Sequence, residues 1–484
     1  MKNNLLNEFF TYETKNNLFD IEFESFKIWE ILRTYVFIEI EQIYNNLQPL
    51  FPQKNSSKKK HISFNVINSI RLFLIKNRDY VFLNNPRRVK QKNGEYYCIY
   101  TDLLIDLLKK NHTCTTFEDP YWALSKSSNI SHFEPIKTED ICYLDFVEFI
   151  FKIKKIFYKT FNRNYKKLHA ILNKLEQDIE KEFKCNLTDI FKVGEDKILY
   201  LVLTKKIYVK LIKRIKPKAI LEFYDAFPSK VVINKIAKEQ NIPIIEIQHG
   251  IVTKENPIFL KYSDLSRQYD CVPDYVLSYG EKLLNTEHMP IKKNNIYYVG
   301  NLFLKSKINE YKNNIAKKKN ILFISQSNLG KYISESASKL ADLLKKDNEY
   351  KIIYKMHPYE IGNNYECLKK SNIEIINNRE KDIYYYQSIS IAQVGIYSTG
   401  IYEGIAFGLK TFILDNKYGT KEIKGILKED NQITYVTDIK EIAENIKNIK
   451  ENQKNIDNKY WEKVDENKII DIIDKITNNC WYII

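Results

Sequence analysis

The amino-acid sequence predicts an α/β protein with two parallel-sheet domains and extra helices ahead of them. Three observations carry this. From Ala219 onward, short apolar segments alternate with helical stretches, the repeat of strand–helix–strand units that feed a parallel sheet. The alternation breaks once, in a hinge-like segment around Gly300, and then resumes, so it describes two domains. Between Asp145 and Leu211 the apolar residues instead recur at spacings of three and four, the period of helices.

In chain order, Tyr80 to Leu83 reads as an early strand, followed by Asn-Asn-Pro-Arg-Arg, where Pro86 stops the extended run. Phe146, Phe149, Ile150, Ile153, Phe157 and Phe161 alternate with Lys152, Lys154, Lys155 and Lys159, which describes a basic amphipathic helix. Its apolar side is expected to face the core, with a membrane surface as the second reading. Ala219 to Tyr224 reads as a strand, Pro228 to Gln240 as a helix opened by a first-turn proline, and Ile244 to Gln248 and Tyr275 to Ser278 as strands. The second domain takes strands at Ile321 to Ile324, Lys351 to Met356, Ile373 to Ile376, Ile391 to Gly395, Thr411 to Leu414 and Gln432 to Val436. Asp438 then opens a helix, and Tyr460 to Ile476 closes the chain as an amphipathic stretch with Ile469, Ile470, Ile473 and Ile476 on one side.

Composition narrows the class. At 484 residues the chain has room for two to four domains at about 150 residues each. A hydrophobic fraction of 44% with 35 Tyr and 26 Phe excludes a disordered chain, and 13 Gly with 12 Pro excludes collagen-like or low-complexity architecture. The +15 net charge favours anionic partners, but the basic residues are spread throughout, with no basic arm or aromatic-basic motif, so nucleic acid is not expected. Seven scattered cysteines without a C-x-x-C pair suggest neither disulfides nor zinc. No signal peptide and no apolar run near 18 residues is found, so a cytoplasmic protein is expected, peripheral at the membrane if it touches one.

In open α/β sheets ligands collect at the carboxyl ends of strands, and three segments there carry chemistry. The first is Tyr397-Ser398-Thr399-Gly400-Ile401-Tyr402-Glu403-Gly404, where hydroxyls and helix N–H groups suit a phosphate and Glu403 suits a ribose diol. The same residues also read as a plain helix cap started by Thr399 or Gly400, with Glu403 closing a capping box. The second is Lys355-Met356-His357-Pro358-Tyr359-Glu360, where the proline keeps His357 extended and directs its imidazole into the crevice. The third is Glu246-Ile247-Gln248-His249-Gly250, with Glu222 and Asp225 ending the preceding strand; these supply candidate general bases. No D-x-D metal motif is found, and Asp382 reads as a helix cap. Neither a metal nor a cofactor is expected.

The succession Gln248-His249-Gly250, Lys355-Met356-His357-Pro358-Tyr359, Asp382-Ile383-Tyr384-Tyr385-Tyr386 and Tyr397 to Lys410 resembles bacterial GT-B glycosyltransferases of surface polysaccharide synthesis. The likeness is greatest to the sialyltransferase, polysialyltransferase and Kdo-transferase group, with its His-Pro and Ser-Ser/Thr motifs. The sequence is also similar to CDP-glycerol glycerophosphotransferases, which pair His-Gly with His-Pro-Tyr and a serine-rich motif. The resemblance covers roughly residues 219 to 415 and implies two Rossmann-like domains facing a cleft. It also implies that His357 assists nucleotide departure, Pro358 contacts the base, and Ser398 and Thr399 bind the donor phosphate. The Asp-Asp-Gly base motif of the sialyltransferases is absent, which leaves Asp225, Glu222 and His249 as alternatives.

The expected organisation is an acceptor-side domain over 1–284 with a helical insertion at about 145–211, a donor domain over 285–455, and a closing helix over 456–484 that packs back on the first domain. The expected activity is inverting, metal-independent transfer of a sugar, sialic acid or Kdo-like from a CMP donor, to a glycan or lipid-linked glycan. CDP-polyol phosphotransfer is the alternative, with a nucleotide-sugar 2-epimerase and a nucleic-acid-binding protein ranked lower.

Overall fold

The computed structural model describes residues 2–44, 71–84, 88–90, 94–119, 141–223, 227–254, 261–313, 319–326, 329–347, 349–357, 360, 364–377, 380–415, 420–449 and 459–479. Among these, a seven-stranded sheet contains β1 (Tyr80–Asn84), β2 (Cys114–Glu118), β3 (Ile141–Tyr143), β4 (Ala219–Glu222), β5 (Ile244–Ile247), β6 (Tyr275–Ser278) and β7 (Ile296–Tyr298). A six-stranded sheet contains β8 (Lys319–Ile324), β9 (Tyr350–Lys355), β10 (Ile373–Ile376), β11 (Ser390–Gly395), β12 (Lys410–Leu414) and β13 (Ile433–Val436). Their spatial orders are β7-β6-β5-β4-β1-β2-β3 and β10-β9-β8-β11-β12-β13, and the neighbouring strands run parallel.

Each sheet is therefore wound outward in both directions from its first strand. The order reverses between β1 and β4 in one and between β8 and β11 in the other, and such switch points open crevices at the strand ends. The strands read as apolar runs because helices cover both faces; β4, β5 and β12 are almost wholly buried. β2, β3 and β7 were not foreseen. β2 is Cys-Thr-Thr-Phe-Glu, polar by composition yet buried throughout, and its Glu118 is neutralised by buried Arg88. β3 and β7 are three residues each, too short for a periodicity to declare itself. β7 also carries the first sheet past residue 285.

Around the first sheet lie α1 (Lys2–Lys15), α2 (Ile28–Tyr44), α3 (Asp102–Leu108), α4 (Asp145–Phe161), α5 (Arg163–Phe183), α6 (Thr188–Ile215) and α7 (Pro228–Glu239). α6 is the spine of this layer and packs against α2, α4, α5 and α7. A buried carboxylate joins the two N-terminal helices: Glu13 accepts from Trp29 Nε1 and Arg33 Nε, each at 2.7 Å. α4 departs from the expectation that its apolar side faces the core. It meets the protein through Val147 and Phe151, while Phe149, Ile153, Ile156, Phe157 and Phe161 stand exposed on the other side.

The second sheet is flanked by α8 (Leu302–Tyr311), α9 (Gly330–Leu343), α10 (Ile383–Ser388), α11 (Thr399–Ala406), α12 (Thr420–Lys424) and α13 (Ile439–Ile446). Asp438 caps α13 in a capping box with Glu441, which supplies the start signal read in the sequence. The closing segment touches both domains. Glu462 N–H donates to Tyr279 O at 2.8 Å, and Trp461 packs at a tilt against Tyr279 while its Nε1 donates to Tyr402 O at 3.0 Å. Gly300 has a φ of +76°, and a side chain there would collide with the Glu462 carbonyl, so the hinge residue must be glycine. The helix α14 (Glu466–Asn479) begins later than the amphipathic stretch suggested, and its Ile469, Ile472, Ile473 and Ile476 join the core formed by Tyr80, Phe82, Leu104 and Leu221.

Candidate functional site

At the switch point of the second sheet, β11 ends at Gly395 and Ser398 caps α11, its Oγ accepting from the Gly400 N–H at 3.3 Å. The helix begins at Thr399, so its first-turn N–H groups and positive dipole end stand at the crevice. Ser398 and Thr399 are half-buried. The loop is tied across the switch point, because Tyr397 N–H donates to Gln326 Oε1 in the segment after β8, at 3.2 Å. α11 lies close against β11: a side chain on Gly404 would strike the Gln393 amide, which donates to Ile401 O at 2.7 Å and Thr411 Oγ1 at 2.9 Å.

Glu403 closes no capping box. It accepts from Tyr384 Oη at 3.0 Å, and burial pushes its carboxyl up to about 7, opposed by that hydrogen bond and reinforced by Asp382. Burial raises the Tyr384 hydroxyl well above its ordinary range, followed by Glu403 and by Tyr279 and Tyr100 of the first domain. Tyr279 is raised by burial and then by Tyr100, Glu403 and Glu246. Tyr100 and Tyr279 of the first domain therefore lie within electrostatic reach of Tyr384 and Glu403 of the second. Asp382 caps α10, accepting from Tyr385 N–H at 2.9 Å and pairing with Lys307 at 3.0 Å.

His357 follows β9, which neighbours β8, which neighbours β11. With strands about 4.8 Å apart, the ends of β9 and β11 lie about 10 Å from each other along one edge, and a ligand the size of a nucleoside phosphate reaches both. The fully buried Glu360 fixes the His357 backbone: Oε2 accepts the His357 N–H at 2.8 Å, and the Glu360 N–H donates back to His357 O at 2.8 Å. Its Oε1 accepts from Ser325 Oγ at 2.9 Å and Tyr365 Oη at 2.7 Å. Sequence reasoning gave Glu360 no role, although a carboxylate three residues beyond the histidine was the signal. Pro358 lies outside the described residues.

In the first domain, Gln248 staples the turn after β5. Its Nε2 donates to Gly250 O and Leu283 O at 2.8 and 2.7 Å, and its Oε1 accepts from Ser278 Oγ and Tyr279 N–H at 2.7 and 2.8 Å. His249 is thereby presented beside Tyr100 and Phe223, with its Nδ1 3.5 Å from the buried Glu246 carboxylate. Glu222 goes elsewhere. Its Oε1 accepts from Asn234 Nδ2 of α7 at 2.7 Å, and its carboxyl lines a pocket beneath that helix with Glu30, Lys230 and Tyr262. Burial, then the charge of Glu246, pushes it up to about 8. Asp225 lies outside the described residues. Among those that are described, no group of three His, Cys, Asp or Glu has a metal-binding arrangement, and no helix is long and apolar enough to cross a membrane.

Two doubly wound parallel sheets joined by a closing segment that touches both domains define a two-domain α/β fold of the GT-B type. Among solved structures, UDP-GlcNAc 2-epimerase from Methanocaldococcus jannaschii superposes with a TM-score of 0.50 at 12% identity, covering 82% of this chain and 99% of that one. The UDP-GlcNAc 2-epimerase from Neisseria meningitidis bound to UDP-GlcNAc gives 0.47 at 15% identity over 82% and 99%. A variant of the wall teichoic acid polymerase TagF gives 0.44 at 14% identity over 83% and 89%. No protein-family model and no curated protein matches the chain.

Proposed function

We propose that this chain is an inverting, metal-independent glycosyltransferase that moves a sugar, sialic acid or Kdo-like, from a CMP-linked donor to a surface glycan or lipid-linked glycan. The observation that carries the reading is the α11 N-terminus at the second switch point, with Ser398 and Thr399 at its opening, Glu403 one turn on and His357 farther along the same edge. In this reading the first-turn N–H groups and the two hydroxyls bind the donor phosphate, Glu403 holds the ribose diol, and Pro358 contacts the base. The GT-B fold, shared with an epimerase of UDP-GlcNAc, suits a nucleotide-sugar substrate.

Transfer then needs a base and a stabilised leaving group. The base on the first domain takes the proton of the acceptor hydroxyl, whose oxygen attacks the anomeric carbon from the face opposite the phosphate. The bond to phosphate breaks, and negative charge develops on the departing nucleotide, where the α11 N–H groups and the His357 imidazolium oppose it. Asp225 and His249 are the candidate bases. Glu222, the third candidate, is less suited, because its Oε1 already accepts from Asn234 of α7.

One observation favours a second reading, CDP-polyol phosphotransfer. His249 Nδ1 lies 3.5 Å from the buried Glu246 carboxylate, whose charge favours the protonated imidazole that a base forms. In that reaction the polyol hydroxyl attacks the β-phosphorus and CMP leaves. Turnover of CMP-sialic acid or CMP-Kdo against CDP-glycerol separates the two: release of CMP from the sugar donors alone supports glycosyl transfer, and release from CDP-glycerol alone replaces it. Full activity in excess EDTA is expected under either reading; loss restored by Mn²⁺ would contradict the metal-independent route.

A further inference from the structure

A surface helix ordinarily turns its apolar stripe inward. α4 has two apolar sides and buries the smaller one, through Val147 and Phe151. The other side carries Phe149, Ile153, Ile156, Phe157 and Phe161, with exposures of 49, 43, 67, 61 and 77%. At 100° per residue these five fall within an arc of about 140°, so they form one continuous stripe rather than scattered side chains. The Phe157 and Phe161 rings stack with centroids 6.4 Å apart, making a double aromatic tip at the C-terminal end of the helix.

The exposed charged residues that flank this stripe on α4 and at the start of α5 are basic. Lys152 flanks one edge and Lys154 the other, both exposed, and where the chain turns into α5 the exposed Arg163, Lys166 and Lys167 follow Phe161 directly. The acidic groups facing α4 from its neighbours are already engaged: Lys155 pairs with Asp196 at 2.6 Å, Lys159 with Glu195 at 2.5 Å, and Tyr158 donates to Glu24 at 2.9 Å. Glu148, on α4 itself, sits 3.7 Å from Lys152. An apolar stripe with a basic margin is the complement of a bilayer interface containing anionic headgroups, in which rings enter the acyl boundary and lysines meet phosphates.

We propose that α4, with the first turn of α5, docks the protein onto an anionic lipid bilayer through Phe157, Phe161 and Ile156. This surface is separate from the donor crevice, and it stands whether or not the glycosyltransferase reading does. The test is co-sedimentation of the full chain with phosphatidylcholine vesicles containing about 30 mol% phosphatidylglycerol, beside vesicles of phosphatidylcholine alone. Wild type should partition at least about tenfold more strongly onto the anionic vesicles, and F157S/F161S should lose about tenfold or more of that binding with an unchanged melting temperature. A second variant, R163E/K166E/K167E, should lose binding to anionic vesicles with the aromatic tip intact. Failure of wild type to sediment with anionic vesicles, or equal binding by wild type and F157S/F161S, would overturn the proposal. A change in oligomeric state in F157S/F161S without a change in vesicle binding would assign the stripe to a second copy of the chain and overturn it as well.

Discussion

His357 and Glu360 share one motif, in which Glu360 fixes the backbone of a histidine that the proposal gives the chemistry. If the His357 imidazolium opposes charge on the leaving phosphate, His357→Ala lowers kcat far more than it raises KM for the donor, because the interaction strengthens in the transition state. The alkaline decline in rate that marks loss of the ring proton should vanish in that variant; an unchanged pH–rate profile per folded molecule contradicts the role. Glu360→Gln should instead act through position. It weakens the acceptor of three hydrogen bonds, from His357 N–H, Ser325 and Tyr365, and should cost about 2 kcal/mol in chemical denaturation. Glu222 makes a separate prediction about pH. Its folded-state carboxyl is raised to about 8, so the proton it holds contributes stability that is fully present below its usual value near 4.5 and is lost as pH rises through about 8. Unfolding free energy should therefore fall between about pH 5 and 8, with a shallower fall in Glu222→Gln; identical slopes in the two proteins would contradict this.

At the scale of elements, the proposal gives α11 a second job beside its observed capping, and single substitutions separate the two. Ser398→Ala removes the N-cap and should cost about 1 kcal/mol of stability, whereas Thr399→Ala leaves the cap in place. Both should weaken nucleotide binding, together by roughly ten- to a hundredfold, as lost hydrogen bonds to a charged phosphate require. A lower melting temperature in Ser398→Ala with no affinity loss in either variant would leave α11 a capped helix and nothing more. This element was legible in the sequence because its signals are local: a strand ending at Gly395, hydroxyls, then Gly400 and Gly404 where the helix lies close on β11. Most of the parallel strands were legible for the same reason, since burial on both faces leaves continuous apolar runs. β2 was not, because its buried polar residues are satisfied by partners far along the chain, Glu118 by Arg88 and Thr115 by Cys142. The face that α4 buries was also illegible. Both of its sides are apolar, and only the packing against α6 decides which one is covered.

At the scale of the whole molecule, the proposal needs the two sheets to face one another, and the closing segment touches both domains. Trp461→Ala removes the bond to Tyr402 O and the packing on Tyr279, and it should destabilise the protein by about 3 kcal/mol or more, with the two domains beginning to unfold separately. A single transition at the wild-type midpoint would show that this strap does not couple them. Which residues come together between the domains was beyond the sequence, because Tyr100, Tyr279, Tyr384 and Glu403 lie in four separate segments. The central claim is that the carboxyl edge of the second sheet binds a nucleotide through α11. Calorimetric titration of CMP, CDP, UMP, UDP and GDP into wild type and S398A/T399A tests it most directly. One cytidine nucleotide should bind wild type with a clear preference over the others and bind the double variant at least about tenfold more weakly. Equal affinity of that nucleotide for both proteins, or no binding of any nucleotide to wild type, would contradict the account.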